Sequence, residues 1–378
     1  MPGLYVHIPF CSSRCIYCDF YSTTALALRD RYVDALCREM EHRASEVPCN
    51  EVVETIYLGG GTPSQLSIDH IKRILQTIHR HYSVAPQAEI TMEMNPDDVT
   101  SDYVDQLRQT PINRISLGIQ TFDDPRLQLL HRRHTAQQAI LAVKKLQKWQ
   151  FNNVSIDLMF GFPGQTLQQW ENDIQQAINL GVQHISAYTL MYEEGTRLTR
   201  LRDKGEISEI DELLSLQMYN TLCHSLQRAG FEHYEISNFA LPHHASRHNS
   251  NYWNDTPYLG FGAAAHSYNG KQRSWNPAHL YIYIKGIEQG TLERETENLT
   301  SHQRYDEHVM TRLRTAKGID LDQLKQEFGT QLHDYCLLQA QPHLRRNHLR
   351  LTNEHKLRLN QQGIFISNDI ISDLMLAD

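Results

Sequence analysis

Three cysteines, Cys11, Cys15 and Cys18, fall within eight positions of "LYVHIPFCSSRCIYCDFYS", residues 4–22, while Cys37, Cys49, Cys223 and Cys336 are scattered along the chain. The spacing C-x3-C-x2-C on a loop just after a strand lets three thiolates converge on one centre. Two kinds of centre compete for it. A structural zinc site is normally closed by four ligands, so zinc needs a distant His or Cys to complete the set. A four-iron cluster ordinarily takes four cysteines; three leave one iron without a protein ligand, and an open iron can bind a small molecule. Arg14 between them and Asp19 just after them argue against buried, inert thiols. A disulfide framework fits poorly, because seven is an odd number and no secretory signal opens the chain.

The elements that position these residues are legible as a rhythm. Short apolar runs, "LYVHI", "VETIYL", "AEITME", "NRISLGI", "VSIDLMF" and "HISAYTL", alternate with longer stretches whose apolar residues recur at three and four. Ile71, Ile74, Leu75 and Ile78 are one example. The spacing predicts helices over Asp30–Ser45, Ser67–His81, Ser101–Gln109, Thr135–Gln150 and Leu167–Leu180. Six such units favour a partial (βα) barrel over a doubly wound sheet, which periodicity alone does not separate. Functional groups of a barrel collect where strands end. Here the cysteines follow the first strand, "GGGTPS" the second, "EMNP" the third, "GIQTF" the fourth and "GFPGQT" the fifth.

The 378 residues are enough for one large core and a small second unit. Past about residue 205 the character changes. A helix over Ile210–Ala229 is followed by an irregular, aromatic and His-rich segment, and from about residue 300 the chain turns polar and helical, with a short hairpin resembling that of a winged helix. No apolar run reaches the roughly 18 residues of a membrane span, so the reading is a soluble, cytoplasmic protein, with peripheral membrane association and a homodimer left open. A net charge of −8 disfavours nucleic acid as a partner. A non-catalytic regulator that binds nucleic acid through the C-terminal domain has that charge against it and leaves the cysteines unexplained. Most of the 21 histidines, as in "HRHYS" and "HRRHT", read as solvated surface groups.

"CSSRCIYC", residues 11–18, resembles the cluster motif of the radical S-adenosylmethionine (SAM) superfamily, in which SAM itself binds the fourth iron. With "LGGGTPS", "EMNP", "RISLGIQTF", "DLMFGFPGQT" and "GFGAAAHSY", nearly the whole chain resembles the branch that holds oxygen-independent coproporphyrinogen III oxidase and the haem chaperones. The resemblance implies an α/β fold: a partial (βα)6 radical SAM barrel over residues 1–235, an irregular segment over 236–298 packed on it, and a smaller, mainly helical, winged-helix-like domain over 299–378. It also implies a [4Fe-4S] cluster on Cys11, Cys15 and Cys18 with exchangeable SAM. Gly60, Gly61, Thr62, Glu93, Gln120, Arg132 and Asp157 match SAM-contacting positions. Each has a physical reading as well: the glycines open backbone N–H and C=O groups to a ligand, Glu93 can accept from ribose hydroxyls or an amino group, and Arg132 can pair with a carboxylate or be an exposed cation of "HRRH". Tyr5 and His7 precede the cluster loop, where the family places contacts, and either could be packing.

The departures discriminate within the branch. The oxidase pattern has a further cysteine two positions past the third, where this chain has Phe20, and the oxidase carries a longer stretch before its first strand. "HNSNYW", residues 248–253, resembles the H-N-x-x-Y-W motif of the haem chaperones. His248 offers an axial iron ligand, Tyr252 and Trp253 offer flat apolar faces, and Asn249 could orient the ring or bond a propionate. His266, His243 and His244 are alternative ligands. The expected function is a haem chaperone that holds haem, a [4Fe-4S] cluster and SAM and transfers haem to an acceptor protein. The alternative is oxygen-independent coproporphyrinogen III oxidase, which converts propionates to vinyl groups.

Overall fold

The six apolar runs form parallel strands β1 (Gly3–Ile8), β2 (Val53–Gly60), β3 (Val84–Met94), β4 (Arg114–Gln120), β5 (Val154–Phe160) and β6 (His184–Thr189). Between them run helices α1 (Arg29–His42), α2 (Ile68–His81), α3 (Ser101–Leu107), α4 (Asp124–Leu129), α5 (Ala136–Lys148) and α6 (Leu167–Asn179). The structure is a computed structural model that describes residues 3–48 and 50–376, so Cys49 lies outside the described residues. Local chemistry sets the helix starts. Ser67 caps α2 by accepting from His70 N, and Thr135 with Gln138 and Thr166 with Gln169 form capping boxes on α5 and α6.

Strands β1 to β6 lie side by side in chain order. A doubly wound sheet reverses its order at a switch point; none occurs here, so the same-handed crossovers put all helices on one side and the sheet curls around a lumen. Alternation then sorts the side chains. Val6, Ile8, Ile56, Leu58, Ile90, Met92, Leu117, Ile156 and Leu158 are buried beneath the helices. Tyr57, Glu93, Arg114, Ser116, Gly118, Asp157 and Ser186 face the opposite way and line the lumen cavity.

After α7 (Arg197–Asp203) and α8 (Glu212–Arg228), the segment expected to be irregular proves ordered. Strands β7 (Glu232–Glu235) and β8 (Asn238–Ala240) extend the sheet beyond β6. A short helix α9 (Arg247–Trp253) follows, and then β9 (Tyr258–Phe261) pairs in parallel with β1, continuing through β10 (His266–Tyr268), β11 (Gln272–Trp275) and, after α10 (Leu280–Gln289), β12 (Glu295–Asn298). Among the described residues the result is a 12-stranded sheet whose two wings both come from this stretch. "GFGAAAHSY" sits at the β9–β10 corner and is bound to α1 by a buried network: Glu39 accepts from Gly262 N at 2.8 Å and Asn276 Nδ2 at 2.8 Å, while Arg43 donates to Gly260 O at 2.7 Å.

The remaining chain forms α11 (Ser301–Leu313), β13 (Ile319–Asp320), α12 (Leu321–Arg345), β14 (Leu349–Leu351), β15 (Lys356–Leu359), α13 (Gln361–Phe365) and α14 (Ser367–Leu374). Gly329, at φ 84° and ψ 172°, breaks α12 into two helices. Helix, strand, two helices and a two-stranded hairpin make the winged-helix-like order. A separate core of Tyr305, Val309, Leu324, Cys336, Leu349, Leu357 and Ile370 holds it together. Among the described residues no helix is long and apolar enough to cross a membrane.

Candidate functional site

A cavity of about 500 Å³ opens at the C-terminal ends of the barrel strands. Cys11, Cys15, Cys18, Gly60, Gly61, Thr62, Glu93, Gln120, Arg132 and Asp157 all line it. The glycine loop needs its glycines. Gly60 has φ +110°, and a Cβ there would stand 2.5 Å from the His7 ring; at Gly61 a Cβ would stand 2.7 Å from the Pro9 carbonyl carbon. Backbone therefore meets backbone, and the loop presses against the start of the cysteine loop. Cys11 Sγ is 3.4 Å from Thr62 Oγ1, and Arg132 donates to Cys15 Sγ at 3.5 Å and to Asn95 Oδ1 at 2.8 Å. Of the two arginines in "HRRH", Arg132 thus points inward, while Arg133 pairs with Asp97 at 2.9 Å and Asp98 at 3.1 Å.

The donor set fits a cluster. Three half-buried thiols share one cavity, and a guanidinium beside Cys15 offsets thiolate charge. Burial raises the Cys11 thiol and pushes Cys18 up to about 11, so these sulfurs give up protons most readily to a positive centre. Among the described residues no group of three or more His, Cys, Asp or Glu side chains is gathered to hold one metal ion.

Below the mouth, Glu93 accepts from Tyr57 Oη at 2.6 Å and from Gly60 N at 3.1 Å. Burial, with nearby Asp157 adding to it, lifts its carboxyl to about 7. Asp157 accepts from Ser116 Oγ at 3.4 Å and is also raised, chiefly by burial. Gln120 adopts φ 72°, left-handed for a non-glycine residue, at a bulge in the β4–β5 register. Such strain gathers where a side chain must be aimed. Tyr5 stands one row back: its hydroxyl meets His7 Nδ1 at 3.0 Å and its ring stacks on Tyr57. The fifth loop is largely structural, since Gln165 of "GFPGQT" folds back onto Gly161 N at 2.8 Å and Thr166 caps α6. His134 of "HRRHT" is buried with its Nε2 3.1 Å from Ile119 O, which corrects its reading as a surface group.

The H-N-x-x-Y-W residues lie at the opposite end. Helix α9 plugs the lumen floor, its first amides, Arg247 N and His248 N, donating to the buried Glu89 at 3.0 and 2.9 Å. His248 is 1% exposed, with Nδ1 2.9 Å from Thr55 Oγ1, Nε2 3.0 Å from Tyr252 Oη, and its ring stacked on Tyr57 at 5.1 Å. Both ring nitrogens are engaged, and burial pushes the imidazole down to about 3. For His248 to serve as the axial iron ligand expected of it, Tyr252 would have to swing aside from Nε2 first. The Trp253 carbonyl accepts from Arg312 of the C-terminal domain at 3.1 Å, and the buried indole nitrogen of Trp253 has no hydrogen-bond partner among the described residues. His243 and His266 are exposed, and His266 stacks on Trp275. Tyr57, Asn95, Arg114, Ser116 and Ser186 also line or brace the lumen and were not singled out from the sequence. Their signal was the period of two: Tyr57 lies two before Gly59, and Arg114, Ser116 and Gly118 alternate toward Gln120.

Residues 5–177 match the Radical SAM superfamily, and residues 299–366 match the HemN C-terminal domain. The chain is 33% identical to "Heme chaperone HemW" of Bacillus subtilis over 374 residues, 98% of each protein. It is 34% identical to the protein of the same name from Mycobacterium tuberculosis over 327 residues, 85% of this chain and 84% of that one. Among solved structures, "Coproporphyrinogen III oxidase (HemN) from Escherichia coli is a Radical SAM enzyme" has a similar fold, with a TM-score of 0.84, 22% identity, and coverage of 99% of this chain and 90% of that one.

Proposed function

The chain belongs to the HemW family of radical SAM proteins, and from that premise we propose that it is a cytoplasmic haem chaperone, holding haem, a [4Fe-4S] cluster and SAM and passing haem to an acceptor protein. The observation that carries the reading is the composition of one cavity. Its wall gathers three thiols, the glycine loop and the SAM-matching polar residues, while its rim leaves Phe20, Met191 and Tyr188 exposed at 66%, 62% and 42%. Large exposed apolar groups clustered at a mouth mark a binding surface, and a flat porphyrin face suits them. Phe20 occupies the position of the oxidase's additional cysteine.

Cys11, Cys15 and Cys18 would hold the cluster, which when bound supplies one-electron chemistry and an iron open to SAM. The chain's own residues do the positioning. Thr62 and Asn95 brace Cys11 and Arg132. Gly60 and Gly61 let the ligand approach the backbone, Glu93 and Asp157 offer carboxyl oxygens to its hydroxyl or amino groups, and Gln120 closes the side. His248, Tyr252 and Trp253 support the floor of the same lumen, with His248 a haem ligand only if Tyr252 releases it.

The test is an anaerobic assay of the reconstituted protein with SAM, a reductant and coproporphyrinogen III, followed by haem titration of the same sample. Haem bound near one per chain with no porphyrin product is the expected result. Protoporphyrinogen IX formed over many turnovers would instead assign oxidase activity.

A further inference from the structure

The lumen floor holds two side chains that the cluster and SAM leave unused. Arg114, the first residue of β4, is 1% exposed and lines the cavity, yet among the described residues its guanidinium makes no hydrogen bond or ion pair, and its Nε is without a partner. A guanidinium stays charged at every physiological pH. Buried, it acts on the nearby Glu93 and Asp157 by charge alone, lowering both carboxyls against the larger lift of burial without a hydrogen bond to either, and its unbonded N–H groups are costly unless something meets them. The two carboxyls accept their hydrogen bonds elsewhere, Glu93 from Tyr57 and Gly60 and Asp157 from Ser116. Asn249 lines the same cavity from α9. Its backbone N–H bonds Ser246 Oγ at 3.3 Å, and among the described residues its carboxamide has no partner.

The cavity therefore grades from an apolar rim, Phe20, Tyr188 and Met191, to a floor that presents a planar fork of N–H donors and a carboxamide. That gradient matches an amphiphile with a flat apolar body and an acidic tail. We propose that Arg114 and Asn249 form a carboxylate-binding floor that receives a propionate of the porphyrin seated at the mouth, an assignment that rests on the haem reading above. Arg114 meets the carboxylate two-point, as guanidinium forks do, and Asn249 adds an N–H. SAM carries a carboxylate too, but Arg132 already stands at the cysteine end of the cavity to take it.

The test titrates haem, the dimethyl ester of haem and, separately, SAM into the reconstituted wild type, Arg114→Gln and Asn249→Ala. Haem affinity should fall by roughly ten- to a hundredfold in Arg114→Gln, the worth of a charge-assisted hydrogen bond, and by less in Asn249→Ala. The ester should bind wild type and variants alike, and SAM affinity should hold. Haem affinity unchanged in both variants, or ester and haem weakened equally, overturns the proposal. SAM weakened with haem unchanged moves the carboxylate to SAM and overturns the propionate assignment. If Arg114→Gln does not fold, Arg114→Lys keeps the charge but not the fork and should still weaken haem over ester. A wild type that takes up no haem would defeat the haem reading itself, and the propionate assignment with it; the SAM titration then decides the floor alone.

Discussion

The two ends of the lumen are built on opposite plans. At the rim, loops carry the chemistry, and polar groups are left underused: three thiols and a guanidinium resting against sulfur at 3.5 Å. At the floor, below the open fork of Arg114, a helix carries the residues and the motif's anchors are engaged: His248 by both nitrogens, Glu89 by two helix amides, and the helix C-terminus by Arg312 donating to the Trp253 carbonyl and to Asn254. Under-satisfied groups wait for ligands; satisfied ones hold shape. A motif's residue types alone do not say which of the two it is.

Substitutions at the two ends should therefore fail differently. The largest effect belongs to the rim: Cys15→Ser should abolish cluster assembly, read as loss of bound iron and sulfide, while shifting apo-protein stability by no more than about 1 kcal/mol, since a hydroxyl can still accept from Arg132. Full iron and sulfide in that variant would break the cysteine assignment.

At the floor, His248→Ala should lower stability by about 2–4 kcal/mol in urea unfolding, through a buried cavity and orphaned Thr55 and Tyr252 hydroxyls. Because the folded imidazole sits at about 3 against 6.5 unfolded, its neutral burial stabilises the protein above pH 6.5, and that contribution is lost as pH falls through the folded value. The variant should show a shallower acid limb. Lost haem affinity with unchanged stability would instead make His248 an iron ligand and erase the contrast.

Glu93 joins the two ends, since Tyr57 lies between it and His248. Its folded carboxyl is raised to about 7 from 4.5, so the stability contribution present below the unfolded value is lost as pH rises toward and through 7. Glu93→Gln should flatten that slope, raise neutral-pH stability of the apo protein by roughly 1–3 kcal/mol, and weaken SAM binding. A steeper slope in the variant would show the carboxyl to be ionised by a partner. The smallest effect falls on the helix end: Arg312→Ala should cost about 1–2 kcal/mol in the same unfolding assay. An unchanged midpoint would mean that α9 is held from the lumen side alone.

What was legible in the sequence was local. The cysteine spacing, the strands that carry Glu93, Gln120 and Asp157, and the glycine loop all lie within a few residues of the features that announce them, and the helix starts are written in their caps. Where neighbours distant in sequence decide, the reading stopped. Arg132 and Arg133 look alike in "HRRH", yet Asn95, Gly118 and Cys15 turn one inward while Asp97 and Asp98 hold the other outside.

By itself, then, the sequence determined the strand and helix pattern, the cysteine loop and the glycine loop, because period and motif are short-range properties. Tertiary structure alone decided that the strands run in unbroken order, that residues 232–298 supply both wings of the sheet, and that α9 closes the floor. His248 reaches Thr55 across 193 positions of chain. Its engaged ring and the open fork of Arg114 are set by what the closing of the barrel brings beside them, and no local pattern encodes that.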